Sequence, residues 1–222
     1  YPEENPLSSG KVEMKYMTAK EEDILSNQSY ISNGTVLDKL LKALIVSEVN
    51  YNDLIVGDKN AIMIAARVLG YGKDYEFQLK IDLSTLDNKE FDESLITKGI
   101  NEFSYTLPTS GAIITYKLLT HKDEMSIEAE LKGLKKINKN ASYDVSTRMK
   151  YMILSVNGDD DKKTIREFVD VYFLASDARA LRKHIQLIQP DVNLKTQVEL
   201  NDGVEDVEVP ITVNFFWPDA AV

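Results

Sequence analysis

Two histidines, His121 and His184, are the only imidazoles this sequence offers to acid–base or nucleophilic chemistry. Each falls in a segment with helical periodicity and charged neighbours. No serine sits in a strand-to-helix elbow, and no acid is spaced to orient either ring, so a catalytic triad has no place to form. Cysteine is absent, which excludes thiol nucleophiles, disulfides, iron–sulfur clusters and cysteine-held zinc, and fits a reducing compartment. Gly70-Tyr71-Gly72 begins like a dinucleotide loop, but Tyr75 occupies the third glycine position. The segment also runs from helix to strand, whereas pyrophosphate needs a strand feeding a helix N-terminus. Asp159-Asp160-Asp161 has the acidity of a calcium loop but carries Thr164 where the sharp turn needs glycine and Asp170 where a bidentate Glu belongs, so a solvated acidic turn is expected. With 36 acids, a carboxylate pair for glycoside chemistry is conceivable, yet none lies in an apolar setting that would raise a pKa. No cofactor or metal is expected.

Binding chemistry is similarly sparse. Lysine and arginine number 26 against 36 acids, a net charge of −10 spread along 222 residues, which argues against coating nucleic acid or an anionic membrane. Lys132, Lys135, Lys136 and Lys139 cluster at one helix end, but Glu124, Glu128 and Glu130 balance them and the helix dipole accounts for their place. The longest wholly apolar run, Ala61–Ala66, is far short of the ~20 residues a spanning helix needs. The start, Tyr1-Pro2-Glu3-Glu4-Asn5-Pro6, is unlike an export signal, so a soluble protein is expected. The Asn-x-Ser/Thr triplets at Asn27, Asn33 and Asn140 read as chance matches in polar turns. The conspicuous apolar feature is Phe215-Phe216-Trp217-Pro218, read either as a terminal strand folded onto the core or as an aromatic anchor for a partner protein.

The elements that must position these residues follow from periodicity. Residues 1–16 read as an extended arm and residues 17–222 as a single domain. Thr18 and Glu21 form a capping box opening a helix over 19–26. Val36, Leu37, Leu40, Leu41, Leu44 and Ile45 make one helical stripe. Asp58 is the expected N-cap of a third helix, with Ile62, Ala65, Val68 and Leu69 inward and Gly70 as its left-handed stop. Tyr75, Phe77, Leu79 and Ile81 alternate as a strand, and Phe103–Leu107 with Ala112–Leu119 form a hairpin about Pro108-Thr109-Ser110-Gly111. Helices are expected over 120–136 and 143–156, then two more after the acidic turn, the second carrying Ala178, Leu181, Ile185 and Ile188 and stopping before Pro190. A last hairpin turns at Asn201-Asp202-Gly203. The fold class is α+β, several helices packed with antiparallel hairpins whose two β segments can share one sheet.

Taken in order, the segments 17–25, 34–41 and 54–62, then Arg67-Val68-Leu69-Gly70-Tyr71-Gly72, Leu107-Pro108-Thr109-Ser110-Gly111, Asp177-Ala178-Arg179-Ala180-Leu181-Arg182 and Phe215-Phe216-Trp217-Pro218, resemble the baseplate hub assembly proteins of T-even-type contractile-tailed bacteriophages. The resemblance runs from about Lys15 to Pro218. It implies a subunit or assembly factor of the tail baseplate hub, made in the host cytoplasm, binding other tail or hub proteins and performing no catalysis. Some relatives resemble carriers of Cys-x-x-Cys clips near the two β segments; here the hairpins close without metal. The polar residues of these motifs, Glu22, Asp23, Asp58, Lys59, Arg67, Arg179 and Arg182, are read as a semi-buried ion network, with a binding surface as the rival reading. A soluble hydrolase using dispersed carboxylates is the alternative function; it requires a deep pocket holding an acid with a raised pKa. A cell-wall hydrolase has no motif to support it.

Overall fold

A computed structural model describes residues 1–76, 80–137, 143–200 and 203–216. The expected α+β class is what it shows, with small antiparallel sheets among helices. The chain folds as two compact units, each made of three segments. The first comprises Tyr1–Ser8, Asn50–Val56 and Glu90–Gln189; the second comprises Ser9–Val49, Gly57–Lys89 and Pro190–Val222. The expected arm over 1–16 is not free chain. Pro6–Ser9 is a 3₁₀ turn that buries Leu7, and Tyr1 accepts the Ile55 N–H on its hydroxyl at 2.9 Å. Residues 13–15 are tied by the Met14–Ile45 bridge and by Lys15 N–H donating to Leu44 at 2.9 Å. The first residues are thereby shared between two units rather than appended to one domain.

The second unit begins with α1 (Ala19–Leu25), α2 (Gln28–Ser32) and α3 (Val36–Leu44). The Thr18–Glu21 capping box is present, and α3 buries Val36, Leu40, Leu41 and Leu44 as its stripe requires. Helix α4 (Val56–Tyr71) starts two residues before the expected cap. Asp58 therefore lies inside the first turn, and the left-handed residue at the far end is Gly72 (φ 83°), not Gly70. Its buried side is also rotated from expectation: Met63, Ile64, Ala66 and Arg67 join Ile62 inside, while Ala65 and Leu69 are exposed. Apolar residues surround this helix on nearly every side, so periodicity alone leaves its phase open.

Next, β1 (Asp74–Glu76) and β2 (Lys80–Asp82) form a hairpin, not the single strand expected. Tyr75 pairs with Ile81, so both fall on one face in either arrangement; Phe77 and Leu79 lie outside the described residues. The unit closes with β6 (Lys195–Leu200) and β7 (Gly203–Glu208), paired antiparallel from Lys195–Glu208 to Leu200–Gly203 as the expected last hairpin requires; Asn201 and Asp202 of its turn lie outside the described residues.

In the first unit, β3 (Phe103–Thr106) and β4 (Ile113–Tyr116) form the expected hairpin. A third strand, β5 (Ile153–Val156), joins β4. The segment expected as one helix over 143–156 thus divides into α6 (Asp144–Met152) and β5. The β segments do not share a sheet: among the described residues the sheets are β1-β2, β3-β4-β5 and β6-β7. Helix α5 (His121–Ile137) is opened by Thr120, whose N–H and hydroxyl both donate to Asp123, at 3.0 and 2.9 Å. Helix α7 (Lys162–Glu167) runs into a π turn over Phe168–Tyr172, and α8 (Ala175–Ile188) follows. Phe103, Ile114 and Tyr116 from the sheet join Ile127, Met149, Ile165, Leu181 and Ile185 in one buried cluster. Burial on this scale is the main stabilising term at about 25 cal/mol per Å² of apolar surface.

Candidate functional site

The turn motif Leu107–Gly111 meets the Asp177 motif in the first unit. Gly111 supplies the left-handed residue (φ 71°) that lets Leu107 N–H reach the Ala112 carbonyl at 2.9 Å. Across 67 and 68 residues of sequence, the Asp177 carboxylate accepts the backbone N–H groups of Ser110 at 3.0 Å and Thr109 at 2.8 Å. Ser176 and Thr109 hydroxyls pair beside it at 3.0 Å. Asp177 is fully buried, and burial alone would raise its pKa; these hydrogen bonds outweigh it and hold the carboxyl below its ordinary value. The expected charge-bearing residues of the same motif, Arg179 and Arg182, are exposed on α8. Arg182 lines a groove of about 300 Å³ with Met149, Met152 and Ile185.

The other five residues of the expected network fall in the second unit. Lys59 pairs with Asp38 at 2.8 Å. Glu22 receives the Tyr71 hydroxyl at 3.2 Å. Asp23 is exposed and Asp58 is half-buried at the start of α4. Arg67 is buried and clamps the end of its helix: its guanidinium donates to the carbonyls of Gly72 (3.1 Å) and Asp74 (3.2 Å). It lies 5.1 and 5.7 Å from the Tyr71 and Tyr75 ring centroids. Carbonyls and ring faces, not a carboxylate, thus face this cation among the described residues. The acid that does carry structural weight is Glu21, which its sequence position marks only as a cap. It is buried, accepts Lys15 Nζ at 2.8 Å, and takes the Thr18 N–H and hydroxyl at 3.0 and 2.6 Å. Hydrogen bonds from Lys15 and then Thr18 bring its pKa down to about 2.

Of the two readings of the C-terminal aromatics, the core holds for Phe215 and Phe216, though not as a strand. Phe215 and Phe216 are fully buried, on a 3₁₀ turn over Val213–Phe216 and not on a strand. Phe215 packs edge-on against Tyr75 at 4.9 Å and against Phe216 at 5.2 Å, so neither is free to anchor a partner. Trp217 lies outside the described residues. Each histidine packs against a tyrosine. His121 is buried, edge-on to Tyr51 at 4.6 Å. His184 stacks on Tyr105 at 4.3 Å, and burial lowers its pKa.

The exposed apolar surface lies elsewhere. The π turn, closed by Phe173 N–H donating to the Phe168 carbonyl at 2.8 Å, buries Phe168 and Val169 but leaves Val171, Tyr172 and Leu174 at 66, 59 and 46% exposure. Beside Tyr172 is a hollow of about 420 Å³, shared with Val156, Asn157 and Thr164. The signal was present in the sequence: Phe168-Val169-Asp170-Val171-Tyr172-Phe173-Leu174 has six apolar residues in seven, more than one helix face can bury.

Among the described residues, the fold moves the titration of Glu21, Asp82, Glu130 and Asp177 down. A general acid at neutral pH needs the opposite shift. In the acidic turn, Asp161 caps α7 by accepting the N–H groups of Lys163 and Thr164, each at 3.1 Å. Among the described residues no group of acids and histidines is arranged to hold a metal ion, and no helix is long and apolar enough to cross a membrane. No protein-family model, curated protein or solved structure matches the chain.

Proposed function

We propose that this chain is an assembly factor or structural subunit of a contractile phage-tail baseplate hub, acting by protein–protein binding without catalysis in the host cytoplasm or the virion tail. The observation that carries the reading is the trio Val171, Tyr172 and Leu174, left exposed at the π turn and just after it while Phe173 between them packs on the core. Apolar side chains gathered on one surface segment are the ordinary mark of a partner site. The ordered motifs support the reading differently. Asp177 with Leu107–Gly111, and Arg67 with Gly72, tie turns inside the units, as expected of residues that set a scaffold rather than perform a reaction.

The test mixes the purified chain with the hub proteins of the phage that encodes it and measures mass by light scattering after gel filtration. A complex of defined stoichiometry is expected, lost in Tyr172→Asp while the melting temperature stays unchanged. No complex with any hub protein would sink the proposal. Mass spectrometry of purified particles then separates a resident subunit, present at integral stoichiometry, from a factor that departs.

A further inference from the structure

The outer face of the three-stranded sheet carries hydroxyls that the core does not use. Register sets Ser104 opposite Thr115 and Thr115 opposite Ser155, one hydroxyl from each strand, on the side away from buried Phe103, Ile114 and Tyr116. Thr115 and Ser155 hydrogen-bond to each other. Both line a cleft of about 780 Å³ that lies entirely within the first unit, inside the ~300–1,000 Å³ range of small-ligand sites.

The walls of this cleft are ion pairs already made. Lys117 binds Asp123 at 2.7 Å, and Lys150 binds Asp170 at 2.7 Å. Arg166 grips Glu130 through two bonds of 2.8 Å, and Tyr151 donates its hydroxyl to the same carboxylate at 3.0 Å. Lys162, Glu102 and Asp160 also line the cleft, so the lining itself holds four cations and three carboxylates; Glu130 and Asp170, outside the lining, neutralise Arg166 and Lys150 from behind and bring the carboxylates to five. An anion would therefore find its cations neutralised and a slight excess of negative charge. An apolar ligand would strand charges away from water at a cost of several kcal/mol. A neutral polyol meets neither obstacle. An ammonium has three donors and a carboxylate about four lone-pair sites, so each pair keeps donors and acceptors side by side, as vicinal hydroxyls require. The half-buried Tyr151 ring adds an apolar surface for the C–H side of a sugar.

We infer that this cleft binds a neutral oligosaccharide, with the Thr115–Ser155 hydroxyls at its floor and the Lys117–Asp123 and Arg166–Glu130 pairs as its walls. The inference does not depend on the phage-tail reading.

The test titrates the full chain with maltotriose, cellotriose and chitotriose, following amide shifts by NMR, with citrate and inorganic phosphate as anionic controls. Saturable shifts confined to Leu154, Ser155, Gly158 and their neighbours are expected with at least one sugar. Ser155→Ala and Arg166→Met should each weaken that binding tenfold or more, and Arg179→Ala on exposed α8 should leave it unchanged. The shifts in the unmodified chain keep the test valid if a variant folds poorly. Absence of binding by all three sugars overturns the inference. So do shifts centred away from β4 and β5, or tighter binding of citrate or phosphate than of any sugar.

Discussion

Asp177 in the first unit and Glu21 in the second are both buried carboxylates, and they are satisfied in opposite ways. Asp177 is held by two backbone N–H groups contributed from a turn distant in sequence. Glu21 is held by its own helix start and by a lysine six residues earlier that is 46% exposed. The first arrangement joins two remote segments through fixed dipoles that salt barely screens. The second is local, rests partly on a surface charge, and can be lost without separating anything remote. Each unit therefore has a different weak point, although both acids titrate below their ordinary range.

The largest effect should come from neither acid. Phe216→Ala is expected to cost about 3–5 kcal/mol in urea unfolding, more than any change at Glu21, because the second unit stands on its apolar interior. An equal loss from Glu21→Ala would reverse that ranking. Next, Asp177→Ala should cost about 3 kcal/mol by removing two charge-assisted hydrogen bonds. Asp177→Asn should be nearly as harmful, since its amide N–H₂ confronts one of the two backbone donors. If the asparagine variant matches the unmodified chain in calorimetry, the account of Asp177 fails.

Acid separates the pair further. Glu21 has a folded-state pKa of about 2 against an ordinary 4.5, so its contribution is complete above pH 4.5 and is lost as pH falls toward 2. Screening around the half-exposed Lys15 reduces that contribution to about 1–2 kcal/mol. The stability gap between the unmodified chain and Glu21→Gln should be widest near pH 5.5 and close on acidification, as urea midpoints at successive pH values will report. His184 adds the same slope at higher pH: burial depresses its pKa, so stability falls as pH drops below its ordinary 6.5. The smallest effect is Lys15→Ala, at about 0.5–1 kcal/mol in low salt and near zero in 1 M NaCl. Asp177→Ala should cost the same in both.

What the sequence disclosed was largely local. The capping boxes at Thr18–Glu21 and Thr120–Asp123, the hairpin turning at Leu107–Gly111 and the pairing of β6 with β7 depend on neighbours a few residues apart, and each formed where expected. Asp177 was passed over because its partners stand 67 and 68 residues away. Strand β5 was hidden because Met149, Met152 and Ile153 continue a helical stripe; only pairing with β4 shows that Ile153 has left the helix. The β1-β2 hairpin was read as one strand because Tyr75 and Ile81 occupy one face either way. The charge of Arg67 points to an ion network, whereas its nearest acceptors are carbonyls that appear only when the helix end turns back. Phe215 and Phe216 look alike whether core or anchor, and only burial tells the two apart.

The interleaving of the two units bears on how the protein is made. Glu90–Gln189 is needed to complete the first unit, and Pro190–Val222 completes the second. At the start of the second unit's middle segment, Gly57 lies so near Pro190 that a Cβ there would sit 1.7 Å from the Pro190 carbonyl oxygen. A ribosome must therefore synthesise through Gln189 before either unit is complete. Long loops must then close against their entropy, and no single cut releases an intact half. Folding should be late, and fragments ending within Glu90–Gln189 should aggregate or be degraded rather than accumulate as stable domains.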